Sequence, residues 1–229
     1  MGDFFGQFGE LLAKYDVLHA FWVNIELTFW AGLISLILGT LVCLMRISPV
    51  SSMRLAATWF VNIFRDTPLT IIMVVLVLGV WTQLKIQFSN DLATNFFWLA
   101  VAGLGLYHAS FVAEAIRSGV NTVPVGQAEA ARAIGLSFLP AARMIILPQA
   151  FRGAVAPLGN TLIALIKNTT VAAAAGVATE TSSLMKTMIE FNSSMVFAIF
   201  GTFAIGFVVI VVPVGLATTA LSRKLAVPR

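Results

Sequence analysis

The sequence predicts an all-α integral membrane protein with five transmembrane helices, its N-terminus outside and its C-terminus in the cytoplasm. Composition, the lengths of the charge-free stretches and the distribution of cations predict it. Of 229 residues, 59% are hydrophobic and 10% charged, with a mean hydropathy of +0.94. That balance makes the bilayer, rather than water, the solvent. Residues 27–45, 67–84, 92–113 and 191–222 carry no charge beyond their ends, and each approaches or exceeds the roughly 18 to 20 residues that a spanning helix needs.

A fifth apolar stretch, 153–179, is interrupted by Lys167, and positive charge decides whether it counts. With five spans, Arg46, Arg54, Arg65, Arg117, Arg132, Arg143, Arg152, Arg223, Lys224 and Arg229 fall on the cytoplasmic side, leaving Lys14, Lys85 and Lys186 outside. Cytoplasmic segments are enriched in Lys and Arg, whereas four spans would put either the arginine-rich central loop or the basic C-terminus on the wrong side. The expected spans are about 21–45, 68–87, 92–114, 153–178 and 195–221, in one domain over 1–229, with a cytoplasmic loop over about 117–152.

The first nineteen residues mix Asp3, Glu10 and Asp16 with Lys14. They lack the apolar core of a cleaved signal and read as an amphipathic lead-in on the outer surface. After the first span, Ile47-Ser-Pro-Val-Ser-Ser52 is a turn, and residues 53–64 form an interfacial helix that feeds the second span. Pro68 suits the first helical turn, where its missing N–H is no loss, with Thr67 or Asp66 as the cap. Ser89-Asn-Asp91 supplies the outer turn. At the inner end of the third span, Glu114 and Arg117 are i,i+3 neighbours. The following loop is punctuated by Pro124, Gly135, Pro140 and Pro148.

Several chemistries are excluded. Cys43 is the single cysteine, so no disulfide framework or thiolate metal site forms within one chain. His19 and His108 stand alone, as packing or capping residues. No metal-ligand spacing, no catalytic constellation and no phosphate-binding Gly-x-x-x-x-Gly-Lys-Ser/Thr loop is present. The chain is therefore not an enzyme, and the net charge of +4 belongs to topology rather than to nucleic-acid binding.

The loop segment Gly126-Gln-Ala-Glu-Ala-Ala-Arg-Ala-Ile-Gly-Leu-Ser137 is a short small-residue helix pattern between apolar segments. Glu129 and Arg132 keep it out of the bilayer, and its alanines leave a smooth surface that a groove on another protein accepts. Gly135 is a natural stop for it. A helix lying on lipid is the alternative, but the segment lacks the cationic polar face and bulky apolar face of that class.

This segment resembles the EAA signature of ABC importer permeases. Arg65-Asp-Thr-Pro-Leu69, Ala113-Glu-Ala-Ile-Arg117, Leu147-Pro-Gln-Ala-Phe-Arg152, Asn160 and Lys167-Asn-Thr-Thr-Val171 resemble the polar-amino-acid branch of that family, in family order over most of the chain. The resemblance implies a type I importer permease fold in a multi-pass inner-membrane protein. It places Gly126, Glu129, Ala130, Ala131 and Gly135 on the coupling motif, and Arg65, Thr67, Pro68, Glu114 and Arg117 on structural motifs. The implied partners are a cytoplasmic ABC ATPase dimer carrying ATP and Mg, a second permease identical or homologous to this one, and an extracytoplasmic amino-acid-binding protein. The chain itself holds no cofactor. Two positions depart from the family pattern: Asp66 stands where Gly is usual, altering entry to the second span, and Lys167-Asn-Thr-Thr replaces Lys-Asp-Thr-Ser, removing a carboxylate beside the lysine.

Lys167 is notable without any resemblance, because an ammonium inside an apolar helix costs several kcal/mol unless paired or wet. Asn160, Ala164 and Lys167 are spaced i, i+4, i+7 and share a helix face, flanked by Asn168 and Thr170. This stripe is a candidate substrate pathway; a purely structural lysine bonded to carbonyls is the alternative. Glu26, beside Asn24 in the first span, is a weaker candidate. The function implied is ATP-driven import of a polar amino acid, with Lys167 favouring glutamate. The alternatives are an ion-gradient transporter, for which inverted repeats are missing, and a non-transporting scaffold.

Overall fold

The computed structural model describes residues 2–225, and of residues 2–7 the backbone alone. Every regular element among them is helical. In chain order these are α1 (Gly2–Lys14), α2 (Val17–Ile47), α3 (Ser51–Asp66), α4 (Leu69–Val75) continued by a π-helix to Gln83, and α5 (Leu92–Val120). Then come α6 (Val125–Ala133), α7 (Phe138–Ala141) with a π-helix to Ile146, and α8 (Leu147–Gly153). The chain closes with α9 (Val155–Asn168) continued by a 3-10 helix to Ala175, α10 (Thr181–Phe191), a 3-10 turn over Ser193–Met195, and α11 (Val196–Leu225). Arg229 lies outside the described residues.

Long apolar helices begin where an aspartate supplies the missing acceptor. The Asp16 carboxylate accepts the His19 N–H at 3.0 Å to open α2, and that of Asp91 accepts the Thr94 N–H at 2.8 Å to open α5. Each satisfies an orphan donor and sets a negative charge against the positive helix end. The bond from Thr94 holds the Asp91 carboxyl below its ordinary range. α2 thus starts before and ends beyond the expected 21–45, and α5 starts at the expected 92 but runs past 114 to Val120.

Among the described residues, three helices are long and apolar enough to cross a membrane, Val17–Ile47, Leu92–Val120 and Ser193–Leu225, and Ser51–Asp66 with Leu69–Gln83 would be a fourth if that pair, bent by 103°, is one span. The other two expected spans are interrupted. Over 68–87, helix covers Leu69–Gln83 only. It stops because Lys85 takes the left-handed conformation, with φ 57°, and the Ile86 N–H turns back to the Val80 carbonyl at 3.1 Å. Asp66 closes α3 rather than capping α4, and Thr67 is extended, its N–H donating to the Ile63 carbonyl at 3.2 Å. Pro68 lies just before the first helical turn.

Over 153–178, α-helix ends at Asn168 and a 3-10 helix runs on to Ala175. Thr169, Thr170 and Val171 are β-branched and weaken an α-helix at this point. Gly176 closes the segment at φ 86°, where a Cβ would also stand 3.0 Å from the Phe96 ring. Its conformation and its space both require glycine. Fourteen α-helical and seven 3-10 residues reach about 35 Å, enough for a hydrocarbon core of ~30 Å.

The chain forms two compact units. Unit one comprises Met1–Ala31, Leu69–Leu104 and Leu165–Val212; unit two comprises Gly32–Pro68, Gly105–Ala164 and Pro213–Arg229. In unit one, Leu11, Met188, Met195, Ile199 and Phe203 form a core on which Phe8, Tyr15 and Phe21 pack. In unit two, Val42, Cys43, Ala57, Val61, Val112, Ala113 and Ile116 form another. Cys43 is a buried free thiol.

The two units differ sharply in charge. Every described arginine lies in unit two, which with Lys224 holds nine cationic residues against Asp66, Glu114 and Glu129. Unit one holds four lysines against seven acidic residues. The arginine bias seen along the sequence is thus also a property of the tertiary grouping.

Candidate functional site

In unit two, the loop segment singled out from the sequence folds as α6. Its termination follows the Schellman pattern: the Gly135 N–H donates to the Arg132 carbonyl at 2.9 Å and the Leu136 N–H to that of Ala131 at 3.0 Å. Gly135 takes φ 84°, a conformation that costs other residues roughly 1–2 kcal/mol. The expected stop is therefore present.

Only Ala131 of α6 is buried, while Gly126, Gln127, Glu129, Ala130, Arg132 and Ala133 are exposed. Nothing lies within 4 Å of where a Cβ on Gly126 or Gly135 would be. Val125 and Ile134 flank this surface with 71% and 75% of their area open. The result is an exposed helical ridge of small residues that carries Gln127, Glu129 and Arg132 between apolar ends.

The ridge is tied back through glycines. Bare backbone at Gly119, near the end of α5, lies against the Ala150 carbonyl of α8, leaving no room for a Cβ. At Gly153 a Cβ would collide with the Thr122 hydroxyl. These contacts fix the return of the loop on the end of α5.

Glu114 anchors the same region. Its Oε2 accepts from Arg117 Nε at 3.1 Å and Nη2 at 2.8 Å, and Arg46 of α2 pairs with Oε1. The i,i+3 pair is present, and Arg46 is a partner that linear spacing had no means of revealing. Arg65 lays its guanidinium over the Phe111 ring at 5.5 Å. His108 is buried, its ring 5.1 Å from that of Tyr107, a packing residue as expected. Asn160 of α9 is exposed.

In unit one, Lys167 is exposed, with no ion pair among the described residues, and Asn168 and Thr170 are half-buried. Thr170 lines an open cavity of about 260 Å³ with Thr181, Ser182 and the rings of Phe200, Phe203 and Phe207. Glu26 accepts the Trp22 indole N–H at 2.8 Å.

A buried polar cluster in unit one joins residues far apart in the chain. Asn24 Nδ2 donates to Thr169 Oγ1 at 2.7 Å, while Asn24 Oδ1 accepts the Thr181 N–H at 3.0 Å. Glu180 caps α10, accepting the N–H of Ser182 at 2.8 Å and of Ser183 at 2.6 Å. Asn24, Thr169, Glu180 and Thr181 are all buried. Together they clamp α2, the 3-10 segment and the start of α10 at the point where α9 ends. Thr169 is thus a fixing residue, while its neighbours Asn168 and Thr170 remain accessible. Partners 145 and 157 residues apart leave no signal in local spacing.

Burial pushes the Glu180 carboxyl up, opposed by the N–H bonds of Ser182 and Ser183. A carboxyl raised on folding favours the protonated folded state, so its contribution to stability is present at low pH and is lost as pH rises through the folded pKa. Glu180→Gln keeps a cap acceptor without the charge. It is expected to flatten the pH dependence of thermal unfolding just above the ordinary glutamate range, whereas Glu180→Ala costs ~1–2 kcal/mol. Melting the detergent-purified variants across pH checks both.

Residues 31–227 match the family described as binding-protein-dependent transport system inner membrane component. The chain is 48% identical over 219 residues to the glutamate transport system permease protein GluC of Corynebacterium efficiens, covering 93% of this chain and 96% of that protein. It is 30% identical to the probable glutamine ABC transporter permease protein GlnM of Bacillus subtilis, over 83% of this chain and 84% of that one. Among solved structures, a crystal structure of an amino acid ABC transporter with histidines superposes with a TM-score of 0.76 at 24% identity, covering 96% of each chain.

Proposed function

Because the chain belongs to the family of binding-protein-dependent transport system inner membrane components, permeases of ABC importers, we propose that it carries glutamate inward through five spans. Its α6 docks on a cytoplasmic ATPase. The observation that carries this reading is the unpartnered small-residue ridge of α6, in the unit that gathers every described arginine. The N-terminus lies outside and the C-terminus inside; the interrupted helices around Leu69–Gln83 and Val155–Ala175 serve as the second and fourth spans.

Two permease chains, identical or related, enclose the pathway, and an external binding protein delivers the substrate. ATP and Mg belong to the ATPase pair. ATP-driven closure of that pair moves the docked ridges and shifts the permeases between outward-open and inward-open states, since a partner shifts an equilibrium only through differential interaction with its states. Glu129 and Ala130 meet the ATPase groove, and Gly135 ends the ridge. The accessible side chains of Asn160, Lys167, Asn168 and Thr170 face the pathway, and the Lys167 ammonium offers the one cation of that set to an anionic amino acid. Glu26, already bonded to Trp22, has a lesser part.

Glutamate uptake by proteoliposomes holding the complete complex tests the reading. Uptake is expected to require ATP, to stop with vanadate and to ignore ionophores; collapse by an ionophore would favour a gradient-driven carrier. A charge-assisted hydrogen bond is worth ~1.5–3 kcal/mol, so Lys167→Met is expected to slow glutamate uptake about tenfold or more while the binding protein's affinity stays unchanged. Uptake at the parent rate would remove Lys167 from the pathway.

A further inference from the structure

Helix α3 presents three different faces. Ala57 and Val61 are buried against Val112, Ala113 and Ile116, with Phe60 half-covered beside them. Trp59 and Ile63, at i and i+4, are 61% and 55% exposed on a second side, continued toward the N-terminus by Leu55. At about 100° per residue, Arg54, Thr58 and Arg65 fall together on a third side, between the other two. A helix that offers one side to its own core, one to hydrocarbon and one to charged groups fits the boundary of a bilayer, where tryptophan is enriched.

Cations outnumber carboxylates at the C-terminal end of this helix. Arg65 is exposed and rests on the Phe111 ring. Glu114, one turn beyond Phe111 on α5, is shared by Arg46 and Arg117. Arg65 and Arg117 both lie close enough to Arg46 to repel its charge. Arg46 and Arg117 thus share one carboxylate, with the Arg65 guanidinium beside them on Phe111. Asp66 is exposed, follows Arg65 and projects about 100° away, between Leu55 and Trp59 at the end of the helix.

We propose that α3 seats an anionic phospholipid of the cytoplasmic leaflet, its acyl chains against Trp59 and Ile63 and its phosphate on Arg65 at the edge of the Arg46–Glu114–Arg117 cluster. The charge excess selects an anion, and the adjoining apolar side selects one that carries a hydrocarbon tail. The inference uses the topology proposed above, but its readout is lipid retention rather than transport, so each can fail without the other.

Native mass spectrometry of the detergent-purified full chain, titrated with phosphatidylglycerol or phosphatidylcholine, tests it. The chain is expected to retain phosphatidylglycerol in preference to phosphatidylcholine. Arg65→Gln is expected to weaken that retention about fivefold, equivalent to ~1 kcal/mol for one cation at an anionic surface. Trp59→Gln should weaken both lipids, and Lys224→Gln should change neither. Arg65 is exposed, and an unchanged melting temperature of Arg65→Gln verifies that its replacement leaves the core intact. Equal retention of the two lipids, indifference to Arg65→Gln, or displacement of phosphatidylglycerol by inorganic phosphate would overturn the proposal, the last by making the site one for a free anion.

Discussion

An Ala130→Trp chain is expected to insert, fold and melt like the parent and yet to lose coupled uptake. Ala130 is exposed on α6, whose one buried residue is Ala131. An indole at position 130 therefore projects from the exposed side of α6. It meets the groove into which the ridge fits. Forcing a large side chain into a packed contact costs ~1–3 kcal/mol, so ATPase association is expected to weaken about tenfold to a hundredfold. Glu129→Ala removes a charge but no volume, and is expected to act more mildly in the same direction. Pull-down of the ATPase with each variant, beside thermal melting of the permease alone, separates docking from folding. Normal ATPase capture by Ala130→Trp would place the docking surface elsewhere.

Replacing Gly119 has a different and larger consequence. Its backbone lies directly against the Ala150 carbonyl, and the nearest atoms are main chain rather than the tip of a flexible side chain. A methyl group there cannot be accommodated by a rotamer change, so α8 must move away from α5. Gly119→Ala is expected to cost at least the ~1–3 kcal/mol typical of overpacking, and Gly119→Val more, with loss of the folded permease from the membrane. By comparison, nothing lies within 4 Å of the Cβ position at Gly126, so Gly126→Ala should leave the melting temperature unchanged. Yield and melting temperature of the three variants check the contrast. Parent-like stability of Gly119→Val would show that the end of α5 and α8 are not held together through bare backbone.

The features legible in the sequence are those carried by local pattern. Hydropathy located the three long helices, and the spacing of Glu114 and Arg117 foretold their ion pair. The exposed α6 ridge and its stop at Gly135 followed from small residues flanked by helix breakers. Features carried by distant contacts were not legible. Arg46 reaches Glu114 across 68 positions of the chain, and Asn24 finds Thr169 and Thr181 from another helix. The interruptions were also obscured, because hydropathy measures transfer to lipid and is blind to backbone dihedrals. Lys85 ends one helix through its positive φ, and the Thr169–Ala175 segment tightens to 3-10 geometry while remaining as apolar as its surroundings. The buried clamp of Asn24, Thr169 and Thr181 at the end of α9 was not legible.

Site-directed labelling at α6 tests the central claim most directly. Cys43 is fully buried and is the single native cysteine, so Ala130→Cys places one reactive thiol on the ridge. A membrane-impermeant maleimide is expected to label it in inside-out vesicles stripped of ATPase, to miss it in sealed right-side-out vesicles, and to be blocked when the ATPase is restored. Labelling from the outer side, or labelling that the ATPase leaves unchanged, would contradict a ridge that receives work from a cytoplasmic motor.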